Sequence, residues 1–195
     1  DLHWTIKEVI PVWVGQFNEK PIGEVDLPHT DFIDKLLPKY NKQLGTLWGG
    51  NHFIELDVDE EDNIWVVIHS WSRGLGGRVA KHYMNKAKEE YIRKNINKEE
   101  IKKELAEEFA RNKPDFKKHK PKKFKKYQKE YVENNIEDRI KERSVKKKGG
   151  YGFDINSELG RKYITDMNYC LGFALKNRAI MANKVLELLG ANDEW

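Results

Sequence analysis

Between His52 and His69 two short apolar segments flank an acidic turn, and no other stretch restricts the fold of this chain as strongly. Phe53, Ile54, Leu56 and Val58 precede the turn at Asp59 to Asn63, and Ile64, Trp65, Val66, Val67 and Ile68 follow it. Apolar residues bounded by Asp and Asn in this way predict two strands joined as an antiparallel hairpin. The second run is apolar at every position, which predicts a central strand covered on both faces. Helical periodicity lies downstream. Leu75 to Asn95 follows the glycine-rich segment Gly74 to Gly77 with Val79, Tyr83 and Ala87 on one face. Asn97, with Glu100 three residues on, opens a second helix in the manner of a capping box, and a third, basic helix is expected after Pro121. The last long helix is expected from Asn156 or Ser157, with Tyr163, Met167, Cys170 or Leu171, Ala174, Met181, Val185 and Leu188 on its core stripe. Pro11, Pro21, Pro28 and Pro38 break up the first forty residues into loops and one strand near Val9 to Val14, not long helices.

The expected fold class is therefore α+β: an antiparallel β-hairpin core with packed helices, and a basic helical hairpin inserted over residues 97–148. The 195 residues suit one domain or a large piece of one. With 38% hydrophobic and 35% charged residues, the chain has no apolar run near the roughly 18–20 residues that a membrane-spanning helix needs. It opens at Asp1 with no basic leader or apolar signal core, so no secretory or transit segment is expected and the chain reads as a fragment. The lone cysteine, Cys170, sits in an apolar helical pattern and reads as a buried packing thiol, which fits a reducing cytoplasm.

The net charge of +4 hides an asymmetry. From Lys117 to Lys148, 14 basic residues stand against 5 acidic ones, so the rest of the chain is net acidic. Phe116, Phe124, Tyr127 and Tyr131 interleave with the lysines. Two readings stay open: a surface that follows a phosphate backbone, or a solvated helical face with no ligand.

Of the six histidines, His3, His29, His82 and His119 lie in surroundings that call only for surface or packing roles. His52 and His69 end the two hairpin strands, beside Gly45 to Asn51 and Ser70 to Gly76 respectively. Antiparallel pairing makes the start of one strand the neighbour of the end of the other, so the two imidazoles should lie together. Such a pair suits Zn, Mn, Fe or Co, although further ligands must come from elsewhere. The flanking glycines let backbone amides approach an anion, and Arg73 supplies a fork that matches a phosphate. The residues thus point to a metal beside a phosphate, weighed against a glycine-rich turn with satisfied histidines.

Gly45-Thr46-Leu47-Trp48-Gly49-Gly50-Asn51-His52-Phe53-Ile54-Glu55 and Val67-Ile68-His69-Ser70-Trp71-Ser72-Arg73-Gly74-Leu75-Gly76 closely resemble the central motifs of the RtcB RNA ligases. Ile10 to Gly15 resembles an upstream segment of that family, and Tyr163 to Met167 with Asn177-Arg178 resembles a later helix. The resemblance covers most of the chain outside the basic segment. It implies part of a larger RtcB-type domain in an enzyme dependent on manganese (Mn2+) and GTP. That enzyme joins RNA 3′-phosphate or 2′,3′-cyclic phosphate ends to 5′-hydroxyl ends in tRNA splicing and RNA repair. By motif, His52 and His69 would be metal ligands, Asn51, His52, Phe53, Ile54 and Glu55 would line the nucleotide site, and Arg73 would hold an RNA or nucleotide phosphate. The partners implied are RNA (tRNA halves or broken RNA) and an archease-like activating protein. The family's remaining ligands and its guanylated histidine would lie outside the chain, so the fragment alone is expected to be inactive.

Trp13, Trp48 and Trp71 each stand where the family pattern has glycine. Either they are UGA codons that the source organism reads as glycine, or the protein is a catalytically inactive, RNA-binding relative. A metal-dependent RNA phosphoesterase is a third reading.

Overall fold

The computed structural model describes residues 2–12, 17–145 and 150–191, and it is α+β. The chain divides into two compact units, Asp1–Tyr83 with Phe153–Trp195, and Met84–Gly152. The first unit contains helices α1 (Leu2–Val9), α2 (Asp31–Asp34) and α3 (Leu37–Tyr40), and strands β1 (Phe53–Val58) and β2 (Ile64–His69). The start of α4 (Leu75–Asn95) and the whole of the last helix, α8 (Glu158–Leu189), belong to it as well. The second unit holds the rest of α4, then α5 (Lys98–Asn112), α6 (Pro114–His119) and α7 (Pro121–Val145).

β1 and β2 pair antiparallel, with Phe53 opposite His69 and Val58 opposite Ile64. Asp59 locks the turn: its carboxylate accepts from the backbone N–H groups of Glu61 and Asn63, from Asn63 Nδ2 and from Trp65 Nε1 at 2.8–3.0 Å. These donors, the Trp65 indole first among them, hold its carboxyl down to about 2. The expected two-sided burial of β2 does not occur. Val66 and Ile68 pack with Ile54 and Leu56 against Ile10, Leu47, Met181 and Val185, whereas Trp65 and Val67, on the opposite face, are 59% and 39% exposed. Among the described residues the sheet has only these two strands, and the face that carries Phe53, Trp65 and Val67 stays open, at 42%, 59% and 39% exposure.

The N-terminal expectation is also corrected. Residues 2–9 form a helix, because Ile6 and Val9 share a face that packs beside Ile10. The strand expected at Val9 to Val14 shrinks to a single parallel bridge between Val12 and Leu47, and Trp13 and Val14 lie outside the described residues.

α8 is the spine of the first unit. Its N-cap is Ser157, whose hydroxyl accepts from Gly160 N–H, and it stops at Gly190 with φ +67°. Tyr169, Cys170, Phe173, Met181 and Val185 are buried, while Leu171 is 61% exposed, so Cys170 takes the core position. Burial pushes the Cys170 thiol up to about 12. Two polar side chains are buried on the same face. Asp166 accepts from Thr30 N–H (2.9 Å), Thr30 Oγ1 (2.8 Å) and Tyr83 OH (2.8 Å). Asn177 Oδ1 accepts from Gly45 and Thr46 N–H, and its Nδ2 donates to Ser70 Oγ at 3.0 Å. These bonds satisfy loop groups that would otherwise be buried without partners.

In the second unit Asn97 caps α5 by accepting from Glu99 and Glu100 N–H. α5 and α7 lie side by side and antiparallel around Ile101, Leu105 and Ile140. Across their polar edge Glu108 accepts from Tyr131 OH and Arg139, and Glu104 accepts from Arg143.

Candidate functional site

The hairpin register brings His52 and His69 together. Their ring centroids are 5.7 Å apart and their planes differ by 26°. Phe53, opposite His69 in the ladder, stacks on its other side at 5.5 Å. Burial lowers the pKa of His52 from its ordinary value, and the neighbouring His69 and Arg73 charges add to that effect. The neutral ring this favours keeps a lone pair free for a ligand. His52 Nδ1 is buried and has no hydrogen-bond partner.

His69 is engaged differently. Trp71 Nε1 donates to His69 Nε2 at 3.2 Å, so the lone pair of that nitrogen points at the indole. The Trp71 ring lies 6.2 Å from His52 and 6.3 Å from His69, and Trp71 is 62% exposed. Among the described residues no three of the His, Cys, Asp and Glu side chains are close enough to hold a metal ion. The residues present fit at most part of a divalent cation's donor set: two imidazoles, one of them free only once the indole moves, with the other ligands supplied from beyond these residues.

Ser70 and Arg73 follow β2 into a loop held by α8. Arg178 Nη1 donates to Ser70 O at 2.9 Å, and Asn177 reaches Ser70 Oγ. The Ser72 hydroxyl accepts from Gly76 N–H and fixes the entry to α4. Arg73 adopts φ +55° and Gly74 φ +86°, so the loop turns sharply enough to sink the Arg73 side chain. Positive φ at a residue other than glycine costs about 1–3 kcal/mol, and surrounding contacts must hold it there.

Arg73 is only 3% exposed, and its Nε and Nη1 are buried without acceptors. Burial pushes the guanidinium down to about 10, which still leaves it charged at neutral pH. It lies 5.0 Å over the Trp48 ring, a favourable contact for its charge. A cavity of about 300 Å³ opens beside it, and Lys39 and Arg78 add two more cations to its lining. Chemically, a buried cation with unused donors beside two others can receive an anion with several oxygens, such as a phosphate.

The segment Asn51 to Glu55 does not act as one surface. Strand alternation turns Phe53 and Glu55 away from the core and Ile54 into it, so only the backbone of Ile54 is available to a ligand. Lys39 and Arg78 went unrecognised from sequence. Arg78 lies one turn beyond Gly74 at the start of α4, a spacing that could have flagged it, whereas nothing local marks Lys39 in α3. Trp48 and Trp71 stand at the two halves of the site, one beneath Arg73 and one on His69; Trp13 lies outside the described residues.

The profile of the family described as tRNA-splicing ligase RtcB matches residues 23–192. RNA-splicing ligase RtcB of Escherichia coli K12 is 47% identical over 49 residues, covering 25% of this chain and 12% of the relative. The tRNA-splicing ligase RtcB of Nanoarchaeum equitans is 34% identical over 85 residues, covering 35% of this chain and 18% of the relative. That of Aeropyrum pernix is 42% identical over 57 residues, or 22% of this chain and 12% of the relative. The chain thus spans less than a fifth of the length of these curated relatives. No solved structure matches it.

Proposed function

Because the chain belongs to the tRNA-splicing ligase RtcB family, we propose that it is the central piece of an RNA ligase, one that seals 3′-phosphate or 2′,3′-cyclic phosphate ends to 5′-hydroxyl ends with GTP and manganese. The observation that carries this reading is the buried Arg73, with two unused donors, beside a stacked imidazole pair. In this role His52 and His69 would hold Mn2+, which when bound neutralises charge on phosphate oxygens. Arg73, helped by Lys39 and Arg78, binds the terminal phosphate of an RNA end and fixes its orientation. Phe53 and Glu55, on the exposed face of β1, together with Asn51 and the backbone at Ile54, would contact the guanine nucleotide. The basic hairpin over residues 97–148 is read as an insertion in one RtcB-like domain. An archease-like activator and a cytoplasmic location complete the proposal. No described helix is long and apolar enough to cross a membrane.

The test uses this chain. Fluorescently labelled single-stranded RNA with a 3′-phosphate should bind more tightly than the same RNA ending in a 3′-hydroxyl, and Arg73→Ala should abolish the difference. Equal affinity for both ends in the unaltered chain refutes the assignment. With the complete gene product, label transfer from α-labelled GTP and sealing of tRNA halves report the reaction itself. A second reading, a catalytically inactive relative that binds RNA, is favoured by one observation: the Trp71 indole already holds the lone pair of His69.

A further inference from the structure

The second unit concentrates its basic charge at one end. α6 joins α5 to α7 at the tip of the hairpin, opposite the ends through which the chain enters and leaves it. From Lys113 to Lys129, nine lysines stand against one acidic residue, Asp115. The remainder of α7, from Glu130 on, carries five acidic and three basic residues, and α5 carries five acidic and four basic. The ion pairs follow this division. Arg139, Lys141 and Arg143 each have a carboxylate partner, and Lys126 and Lys129 reach Glu130 and Glu133. Lys113, Lys117, Lys118, Lys120, Lys123 and Lys125 are exposed, and among the described residues none of them has an acidic partner. Solvation of a helical face does not require this polarity. Spreading the lysines along the hairpin, in register with its carboxylates, would solvate it equally well and avoid like-charge repulsion at the tip.

Aromatic residues alternate with these unpaired lysines in the sequence, at Phe116, Phe124 and Tyr127. Phe116 and Tyr127 are 5.6 Å apart, Phe109 and Tyr131 are 5.4 Å apart, and Tyr127 is 47% exposed. They border an open cavity of about 810 Å³ that is also lined by Lys113, Asp115 and Glu130 and by the side-chain amides of Asn112 and Asn134, and the other tip lysines lie outside its lining. The core of the unit does not need an exposed tyrosine there. Accessible rings flanked by cations are what an unpaired nucleic acid strand requires, since the bases stack and the phosphates pair with the lysines. A duplex keeps its bases stacked internally and offers only phosphates to such a tip.

We propose that the tip of the α5–α7 hairpin, including α6, is a second RNA-binding site. It takes single-stranded RNA by stacking a base at Tyr127 and Phe116 and pairing the adjacent phosphates with Lys117, Lys118, Lys120, Lys123 and Lys125. The assignment of RNA as occupant rests on the ligase reading above, and the site is separate in sequence from Arg73 and the imidazole pair.

The experiment measures anisotropy of a labelled 12-nucleotide single-stranded RNA against the full chain over a range of salt concentrations. Replacing the five lysines together by glutamine should weaken binding at least tenfold at low salt and flatten the slope of log Kd against log salt by about 3.5, at roughly 0.7 per phosphate contact. Tyr127→Ala should weaken it about five- to a hundredfold, and Tyr127→Phe should not. Glutamine at the five paired residues Lys86, Lys94, Lys102, Lys141 and Lys162, all outside the tip, serves as the charge-matched control and should have little effect. An unchanged slope in the five-lysine variant overturns the proposal. So does equal affinity for a duplex of the same length, or tighter binding to phosphatidylserine vesicles than to the RNA. Arg73→Ala separates the two sites: if it alone removes the 3′-phosphate preference while tip variants change nothing, the tip proposal fails and the ligase reading stands. If tip variants weaken binding and no 3′-phosphate preference exists, the reverse holds.

Discussion

Replacing Trp71 by phenylalanine deletes one donor, the indole N–H, and keeps an aromatic ring beside the imidazoles. In the unaltered protein that N–H must be displaced from His69 Nε2 before a cation can use the nitrogen. A neutral hydrogen bond at an exposed position contributes about 0.5–1.5 kcal/mol net, and Trp71 is 62% exposed, so little packing is lost with it. Trp71→Phe should therefore tighten divalent metal binding by about two- to twelvefold, from the same 0.5–1.5 kcal/mol. Trp71→Gly, which also removes the ring, should tighten it at least as much. Free Mn2+ read by electron paramagnetic resonance gives the affinity, and selective broadening of the His52 and His69 ring resonances gives the location. The effect must vanish in a His69→Ala background, because the competition then has no object. If both Trp71 variants bind Mn2+ as weakly as the parent, or if the gain survives in His69→Ala, the indole does not guard the nitrogen and the reasoning fails.

Asp166→Ala leaves Thr30 N–H, Thr30 Oγ1 and Tyr83 OH without their buried acceptor and should cost about 3 kcal/mol or more in denaturant unfolding, with Asp166→Asn costing less. Asp59 has a folded-state value depressed to about 2, so its contribution to the hairpin is complete above the ordinary carboxylate value and disappears as the pH falls through about 2. The Trp65 indole N–H resonance should report a midpoint there, and a midpoint near the ordinary value would contradict the turn geometry. Cys170, buried and raised to about 12, should resist thiol reagents in the folded protein and react at once in denaturant; rapid native labelling would contradict its placement. The codons at positions 13, 48 and 71 decide the glycine question directly: UGG makes the indole at position 71 part of the natural protein, and UGA makes the Trp71→Gly variant the natural form.

What was legible in the sequence was what local periodicity and caps control. The register that pairs Phe53 with His69 follows from two runs and a turn, and the ends of α5 and α8 follow from Asn97, Ser157 and Gly190. The apolar continuity of Ile64 to Ile68 misled because hydrophobicity does not say how many strands lie alongside, and here one face of the hairpin is open. α1 was missed because a helix of eight residues bounded by Pro11 has little propensity signal and is held by its packing beside Ile10. In the site, the proximity of the imidazoles could be read from pairing. The seat of Arg73 could not, since Trp48 and Lys39 reach it from 25 and 34 positions away in sequence, and only the fold joins them.

Asn177 serves two loops with one side chain, accepting from Gly45 and Thr46 and donating to Ser70. Turning the Asn177 amide out of its seat removes an anchor from both loops at once. Amide hydrogens at Gly45 and Thr46 should therefore exchange with solvent deuterium in step with those around Ser70, as one cooperative opening unit that a single change at position 177 would split.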